Sequence, residues 1–165
     1  MSKYAVLDLE MCTVPRKNKR AKRINEIIEI GAVLLDEKFD IIGEFKTYVS
    51  PDEGVVDSYI YRLTGISQQD LEGAPSIREA LEMLVAWLPE DAVVITWSVS
   101  DERQIRKETE RKGIEGLCSF LEGFIDCQAD FSAKLNTEKI YNLTEALIIA
   151  DIEYDEDIHD ALVDA

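Results

Sequence analysis

The amino-acid sequence predicts a domain of the α/β or α+β class, with a mixed β-sheet and helices on both of its faces. Three observations lead to this prediction. Three apolar runs of strand type open the chain, a strand-to-helix alternation follows, and the helical runs begin at recognisable capping residues. The length of 165 residues suits one domain with a single core, and no internal repeat or linker interrupts the pattern. We therefore expect one domain over residues 1–165.

The first strands are predicted from short apolar runs. Residues 4–9 form such a run, and residues 27–35 and 39–49 form two more, joined by a polar turn at 36–38. Alternation of side chains along a strand gives each run two different faces. The chain is thus expected to open with three strands.

The middle of the chain changes from strands to helices. Residues 55–73 predict a loop-rich connection with short helical pieces and a cap motif at 67–70. Residues 76–79 form a capping box, and apolar residues at helical spacing then predict a helix over 77–88 that ends at Pro89. This helix is expected to pack one apolar face on the sheet.

The second half alternates between the two element types. Residues 92–97 predict a buried strand, and a charged helix over 98–112 follows it directly. A short strand is expected at 124–127, a capped helix at 142–150 and a last helix that begins near His159.

The charge balance bears on the partner class. With 34 acidic and 18 basic residues the net charge is −16, which by itself argues against a nucleic-acid partner. Six of the basic residues, however, lie in the segment 15–23, which contains no acidic residue. This basic segment is either a solvated loop or a contact surface for phosphates.

Other features limit the cellular setting. No run of eighteen apolar residues or signal-peptide core is present, which predicts a cytoplasmic protein with no membrane partner. The three cysteines, Cys12, Cys118 and Cys127, are widely spaced and contain no CxxC pair. They predict reduced thiols and neither a disulfide framework nor a zinc site.

Two acidic residues follow the first apolar run. Asp8 and Glu10 are expected at the end of the first strand, where alternation points both carboxylates to one side, so that they could share a cation. The alternative is an ordinary solvated face, because a second triplet of the same kind occurs at Asp151 and Glu153 in a polar segment. Carboxylates that close an apolar strand must otherwise meet solvent or a counter-charge.

Three further residues are candidates with an alternative structural role. Asp101 follows the predicted fourth strand, where catalytic residues often lie, but it also completes a capping box with Ser98. His159 is the only histidine and lies near Asp164; a lone histidine is also often structural. If the carboxylates meet, their oxygens suit Mg²⁺ or Mn²⁺, and two such ions about 4 Å apart can act on a phosphodiester.

Taken in order, these residues resemble the DEDDh superfamily of 3′→5′ exonucleases. The matching motifs are Asp8-x-Glu10, Asp101 and His159-x4-Asp164. Further similarity covers nearly the whole chain, at residues 28–33, 63–66, 142–147 and 159–165. Within the superfamily the chain is most similar to the Eri-type RNA exonucleases and to the bacterial KapD-type proteins, which are known as sporulation inhibitors.

The resemblance implies an RNase H-like fold: a five-stranded mixed sheet whose second strand is antiparallel, with helices on both faces. It implies two divalent cations, Mg²⁺ or Mn²⁺. Asp8 would bridge both ions, Glu10 and Asp164 would bind the ion on the nucleophile side, Asp101 would orient the other, and His159 would be the general base. The substrate would be single-stranded nucleic acid, RNA in first place, and the product a nucleoside 5′-monophosphate.

The resemblance also implies substrate contacts and leaves alternatives. The backbone near Met11 and Cys12 and the side chains of Leu63, Thr64 and Ile66 would hold the terminal nucleotides. Trp97 is either a stacking surface or part of the core. Relatives continue the closing helix past Asp164, so the end of that helix is expected to be missing here.

Two other functions stay open at this stage. One is a non-catalytic module on the same fold that binds RNA or a regulatory protein partner. The other is an exonuclease that acts on DNA, which would use the same metal chemistry and treat the sugar 2′ position differently.

Overall fold

The computed structural model describes residues 3–18, 20, 22–153 and 159–165. Within these ranges the strands form one five-stranded sheet in the order β3-β2-β1-β4-β5. The strands are β1 (Lys3–Thr13), β2 (Asn25–Leu35), β3 (Ile41–Tyr48), β4 (Ala92–Thr96) and β5 (Ile125–Asp126). β1, β4 and β5 are parallel, whereas β2 is antiparallel to both of its neighbours. The predicted mixed sheet with an antiparallel second strand is confirmed.

The described helices cover the sheet on both faces. They are α1 (Ser58–Thr64), α2 (Ile77–Trp87), α3 (Val99–Arg111), α4 (Cys127–Lys134), α5 (Leu143–Ile149) and α6 (Ala161–Asp164), with a 3₁₀ turn at Ser119–Leu121. The capping boxes predicted at the starts of α2 and α5 are both formed. No helix in the described part of the chain is long and apolar enough to cross a membrane.

Three predicted boundaries need correction. β1 continues to Thr13 and does not end near Glu10, because its pairing with β2 resumes after a bulge between Glu10 and Met11. β3 begins only at Ile41, since Phe39 adopts a left-handed conformation with φ 66° in the turn before it. The cap motif at 67–70 closes a hydrogen-bonded turn instead of a helix.

One helix was not predicted at all. α4 follows β5 directly and is capped by Asp126, which accepts a hydrogen bond from the Ala129 amide at 3.1 Å. Its apolar residues do not recur at helical spacing, so the sequence pattern carried no signal for it. Contacts from elsewhere hold it instead, among them the hydrogen bond of 2.7 Å from the Gln128 amide to the Trp97 carbonyl.

The two faces of the sheet carry different residues. On one face Ala5, Leu7 and Leu9 of β1 belong to the main core, together with buried residues of α2 and α3. The opposite face of β1 carries Asp8 and Glu10, because successive strand residues alternate. α1 and α6 cover that second face, over a smaller apolar cluster. The two carboxylates therefore lie outside the main core.

Candidate active site

Asp8 and Glu10 project from a part of β1 that has lost one neighbour. The parallel pairing between β1 and β4 ends at Val6 and Ile95, whereas the pairing with β2 continues past both carboxylates. A gap therefore opens beside β1 at the carboxyl end of β4, which is the usual position of a ligand site in a sheet of this kind.

Asp101 lies in the first turn of α3, directly after β4. Its alternative role as half of a capping box is not formed: the Ser98 hydroxyl accepts a hydrogen bond from the Ser100 amide at 3.3 Å instead. The Asp101 side chain is 5% exposed and makes no ion pair with any described residue. Its remaining exposure is to the same cleft that Asp8 and Glu10 line.

α6 brings His159 and Asp164 to these carboxylates. The side chains of Glu10, His159 and Asp164 each offer a ligand atom, and the three atoms lie within 4.8 Å of one another. His159 Nδ1 is 3.3 Å from the nearer Asp164 carboxylate oxygen, and the His159 amide donates a hydrogen bond of 3.0 Å to the Leu63 carbonyl. Residues from the first strand and from the last helix thus form one cluster.

Gly31 makes this approach possible. It pairs with Asp8 across the two strands, and a Cβ atom at this position would lie 2.1 Å from the carbonyl carbon of Ala161 and 2.3 Å from the Leu162 nitrogen. Any side chain here would therefore collide with the backbone of α6. Gly31 had no predicted role, although a glycine inside an apolar strand is itself a signal of close backbone approach.

The carboxylates of the site repel one another in a poorly solvated place. Burial, and then the charges of Asp101, Glu10 and Asp164, raise the pKa of Asp8 from 3.8 to about 9. Burial and the charge of Asp164 raise the pKa of Glu10 to about 8, and burial raises the pKa of Asp101 to about 7. Such shifts are typical of functional sites.

The cleft around these residues has a volume of about 1060 Å³ and both polar and apolar walls. Met11 and Trp97, two of the predicted substrate contacts, line it beside the acidic residues. An apolar wall comes largely from α5 and the segment after it, with Leu143, Leu147, Ile148 and Ile152. This volume lies at the upper end of the range of about 300–1,000 Å³ that is common for ligand pockets.

Four other predicted contacts do not line the cleft. Cys12 is fully buried, and Ile66 belongs with it to the smaller apolar cluster. The Thr64 hydroxyl is buried and already donates to the Ile60 carbonyl at 3.0 Å and accepts from the Ile66 amide. Leu63 meets the site only through its carbonyl group. The side chains of Cys12, Thr64 and Ile66 are part of the buried packing, and spacing in the sequence could not distinguish that role from a place in the cleft wall.

The donor set fits divalent cations. Asp8, Glu10, Asp101 and Asp164 present carboxylate oxygens to one cleft, and within the described residues no lysine or arginine pairs with any of them. Buried carboxylates without a counter-charge are costly unless a cation joins them. Hard divalent ions prefer such oxygen ligands.

Comparison with known proteins agrees with this geometry. A family model for exonucleases of the RNase T type, described as "Exonuclease", matches residues 5–165. The chain belongs to this exonuclease family. This exonuclease domain is 31% identical over 164 residues to ERI1 exoribonuclease 2 of Danio rerio, covering 85% of the chain and 29% of that protein.

Two further relatives show how small a part of each protein the similarity covers. The 3′-5′ exonuclease eri1 of Schizosaccharomyces pombe is 38% identical over 80 residues, which is 47% of the chain and 27% of the relative. The PolC-type DNA polymerase III of Caldanaerobacter subterraneus is 30% identical over 111 residues, which is 67% of the chain and 7% of the relative. The exonuclease domain spans less than a third of each of these proteins.

Solved structures share the fold. The nuclease domain of 3′hExo, a DEDDh family member bound to rAMP, has a TM-score of 0.79 at 20% identity and covers 98% of this chain and 85% of that one. Escherichia coli Exonuclease I in complex with a dT13 oligonucleotide has a TM-score of 0.71 at 16% identity. The match covers 99% of this chain and 38% of that one. The predicted RNase H-like exonuclease fold is confirmed, and the family model confirms that the chain is an exonuclease-family member. The similarity to KapD-type proteins stays a prediction.

Proposed function

We propose that this domain is a metal-dependent 3′→5′ exonuclease that shortens single-stranded nucleic acid, RNA in first place, and releases nucleoside 5′-monophosphates. The observation that carries the proposal is the convergence of Glu10, His159 and Asp164 within 4.8 Å beside the buried carboxylates of Asp8 and Asp101. The exonuclease family of the chain supports the same reaction class.

Each residue of the site has a role in this proposal. Asp8, Glu10, Asp101 and Asp164 hold two divalent cations, Mg²⁺ or Mn²⁺, which supply the positive charge that the attacking and leaving oxygens of a phosphodiester require. His159 is the general base: its imidazole accepts the proton of the water whose oxygen attacks the terminal phosphorus. The bond from phosphorus to the 3′ oxygen of the preceding nucleotide breaks, and that oxygen takes up a proton to become the new 3′ hydroxyl. The phosphate stays on the 5′ oxygen of the released nucleoside.

The position of His159 suits this role. The side chain is 56% exposed to the cleft, so that it can reach water and return its proton to solvent. The carboxylate of Asp164 at 3.3 Å orients the imidazole through Nδ1, and the Leu63 carbonyl fixes the backbone of His159. Nε2 is left as the nitrogen that accepts the proton.

The cleft wall provides contacts for the terminal nucleotides. We retain the backbone near Met11 and the side chain of Trp97 as contacts because both residues line the cleft. The basic segment 15–23 directly follows β1, which carries Asp8, Glu10 and Met11, and we propose that its lysines and arginines contact phosphates of the strand that enters.

RNA is proposed as the first substrate because a relative that aligns with 85% of the chain is named as an exoribonuclease. A DNA substrate is the second candidate, since another relative of similar identity is a DNA polymerase and a protein of the same fold binds a dT13 oligonucleotide. The cations and the histidine would serve either sugar, so the contacts to the 2′ position decide between them.

The test uses single-stranded RNA and DNA of one sequence, labelled at the 5′ end, with Mg²⁺, Mn²⁺ or EDTA. We expect a ladder that shortens from the 3′ end, nucleoside 5′-monophosphates as products, and no cleavage in EDTA. Asp8→Ala and His159→Ala should each lower the rate by at least about 100-fold, in line with the loss of a metal ligand or a general base. Asp91→Ala, at an exposed carboxylate, is the matched control.

The rate ratio between the two nucleic acids assigns the substrate. A wild-type protein that shortens neither of them with any cation, yet binds RNA or a protein tightly, would establish the non-catalytic module and refute the proposal.

A further inference from the structure

A chain of ion pairs joins α6 to two strands of the sheet, next to the proposed active site. Glu29 of β2 is 1% exposed and lies opposite Glu10 on the neighbouring strand. Lys46 of β3 lies 3.1 Å from one Glu29 carboxylate oxygen and also pairs with Asp160. None of these three residues has a role in the proposed reaction.

The same residues hold the first turn of α6. The other Glu29 carboxylate oxygen accepts a hydrogen bond of 3.0 Å from the Ala161 amide. Asp160 accepts from the Leu162 and Val163 amides at 3.0 and 3.3 Å. These carboxylates and the close contact at Gly31 fix the first turn of α6 on the sheet.

We infer that Lys46 is a positioning residue of the active site: it anchors α6 through Glu29 and Asp160, and so holds His159 and Asp164 against Glu10. The consequence for catalysis rests on the proposed function, whereas the anchoring does not.

The electrostatics explain why a cation is needed at this position. Glu29 and Glu10 are like charges directly opposite one another on two strands, an arrangement that destabilises a sheet. Lys46 supplies the counter-charge for Glu29 from the third strand, outside the cleft. Without Lys46, Glu29 is a buried carboxylate that faces another carboxylate, and its hold on the Ala161 amide weakens. The short helix, which contains Asp164, and His159 just before it then lose their fixed position.

The chain provides a matched control for this inference. Lys112 also pairs with a fully buried glutamate of β2, Glu26 at 3.1 Å, but it follows α3 and forms its ion pairs away from α6. The variants to compare are thus Lys46→Met, Lys46→Arg and Lys112→Met. Asp160→Asn is added because it removes the ion pair with Lys46 while an amide oxygen can still cap α6.

Three measurements are made on each variant: hydrogen exchange of the amides of residues 161–164, Mn²⁺ affinity by calorimetry, and kcat and KM on the preferred oligonucleotide. In Lys46→Met we expect faster exchange in α6 but not in the central strands, Mn²⁺ affinity weaker by roughly 10-fold or more, and a lower kcat at a similar KM. Asp160→Asn should show a smaller change of the same kind. Lys46→Arg should recover most of the loss, and Lys112→Met should lower thermal stability without a selective effect on α6.

Other outcomes overturn the inference. If the α6 amides exchange as slowly in both Lys46→Met and Asp160→Asn as in the wild type, the anchor is not needed. If Lys112→Met loses as much α6 protection and Mn²⁺ affinity as Lys46→Met does, the effect comes from a general loss of stability. A wild-type protein that binds no Mn²⁺ and cleaves nothing would instead refute the proposed function, and the exchange data would still decide whether Lys46 anchors α6.

Discussion

At the scale of single residues, the cleft concentrates charge at a cost to folding. Asp8, Glu10 and Asp101 lose most of their hydration without gaining a basic partner among the described residues, and each has a raised pKa. A raised pKa means that the folded protein holds the proton more tightly than the unfolded chain does. The metal-free protein is therefore less stable when these carboxylates ionise, and a bound cation removes the penalty.

Asp8→Asn tests this cost directly. The contribution of Asp8 to the free energy of unfolding is fully present below its ordinary pKa of 3.8 and is lost as the pH rises through about 9. The variant lacks the charge. In EDTA its free energy of unfolding relative to that of the wild type should therefore increase as the pH rises, by about 1–2 kcal/mol or about 2–8 °C in Tm at pH 8. Thermal unfolding at pH 4 and pH 8 measures the difference. A constant offset at both values would contradict the expectation.

Stabilisation by added cations should depend on pH for the same reason. Protons compete with Mg²⁺ or Mn²⁺ for Asp8, Glu10 and Asp101, whose pKa values lie between about 7 and about 9. The rise in Tm caused by a saturating concentration of Mn²⁺ should hence be small at pH 5 and larger at pH 8. Asp101→Asn should reduce both the rise and its pH dependence. An equal rise at both pH values would place the cation elsewhere.

At the scale of elements, the site depends on how α6 is seated on β2. The close contact at Gly31 and the hydrogen bond from Ala161 to Glu29 fix this short helix on the face that carries Asp8 and Glu10. β2 also has a second anchor at its other end. There Glu26 joins the strand to α3 and to the loop after β3. β2 thus anchors α6 at one point and the end of α3 at another.

Gly31→Ala should disturb the first of these contacts. The added methyl group would lie 2.1 Å from the Ala161 carbonyl carbon, so α6 must move away from the sheet. We expect a loss of about 1–3 kcal/mol in the free energy of unfolding and a larger relative loss of cleavage rate. Gly43→Ala is the matched control, because its Cβ would lie no closer than 3.5 Å to Trp87. Urea unfolding and the cleavage assay compare Gly31→Ala with Gly43→Ala. Equal losses of stability and of cleavage rate in the two variants would refute the importance of close approach at Gly31.

Glu26→Gln should weaken the second anchor. Although burial opposes it, hydrogen bonds from Arg111, the Glu53 and Gly54 amides and Lys112 lower the pKa of Glu26 to about 2. Its contribution to stability is present above its ordinary pKa of 4.5 and is lost as the pH falls through about 2. The variant should lose about 3–5 kcal/mol at pH 7, as when a buried ion pair is broken. Its stability should also fall less than that of the wild type between pH 5 and pH 2 in urea titrations.

At the scale of the whole molecule, the distribution of charge matters more than its sum. The chain carries a net charge of −16, and its active-site cleft is acidic until cations bind. Most of the surface thus repels a polyanion. The basic segment 15–23 is the concentrated exception, and it lies in the sequence between β1 and β2. In the proposed function, positive charge at this segment and at bound cations would guide a single strand to the site.

Neutralising this segment should change binding more than chemistry. With Arg16, Lys17, Arg20 and Arg23 replaced by Gln, we expect weaker binding of single-stranded oligonucleotides. The slope of log affinity against log salt should decrease by about 0.7 for each phosphate that the segment no longer neutralises. The control replaces four exposed cations elsewhere: Lys38, Arg78, Lys107 and Lys134. Fluorescence anisotropy over a range of salt concentrations measures both slopes, and equal slopes would assign the segment no role in binding.

Local patterns were enough to predict the features that depend on near neighbours. Alternation along β1 put Asp8 and Glu10 on one face, and the capping residues Ser76 and Asn142 marked the starts of two helices. The order of the motifs also indicated the family that comparison confirmed. These signals are short in range, because strand alternation and capping act over two to four residues.

Features that depend on distant segments emerged only from the folded chain. The spacing of Ser98 and Asp101 fitted a capping box as well as a site residue. The folded chain forms no capping box there, and the burial of Asp101 beside Asp8 supports the proposed site role. α4 had no local signal, since contacts from outside it hold it in place. Burial, the Gly31 contact and the approach of α6 to Glu10 arise when far-apart segments pack together, and pattern within a short window carries no information about such packing.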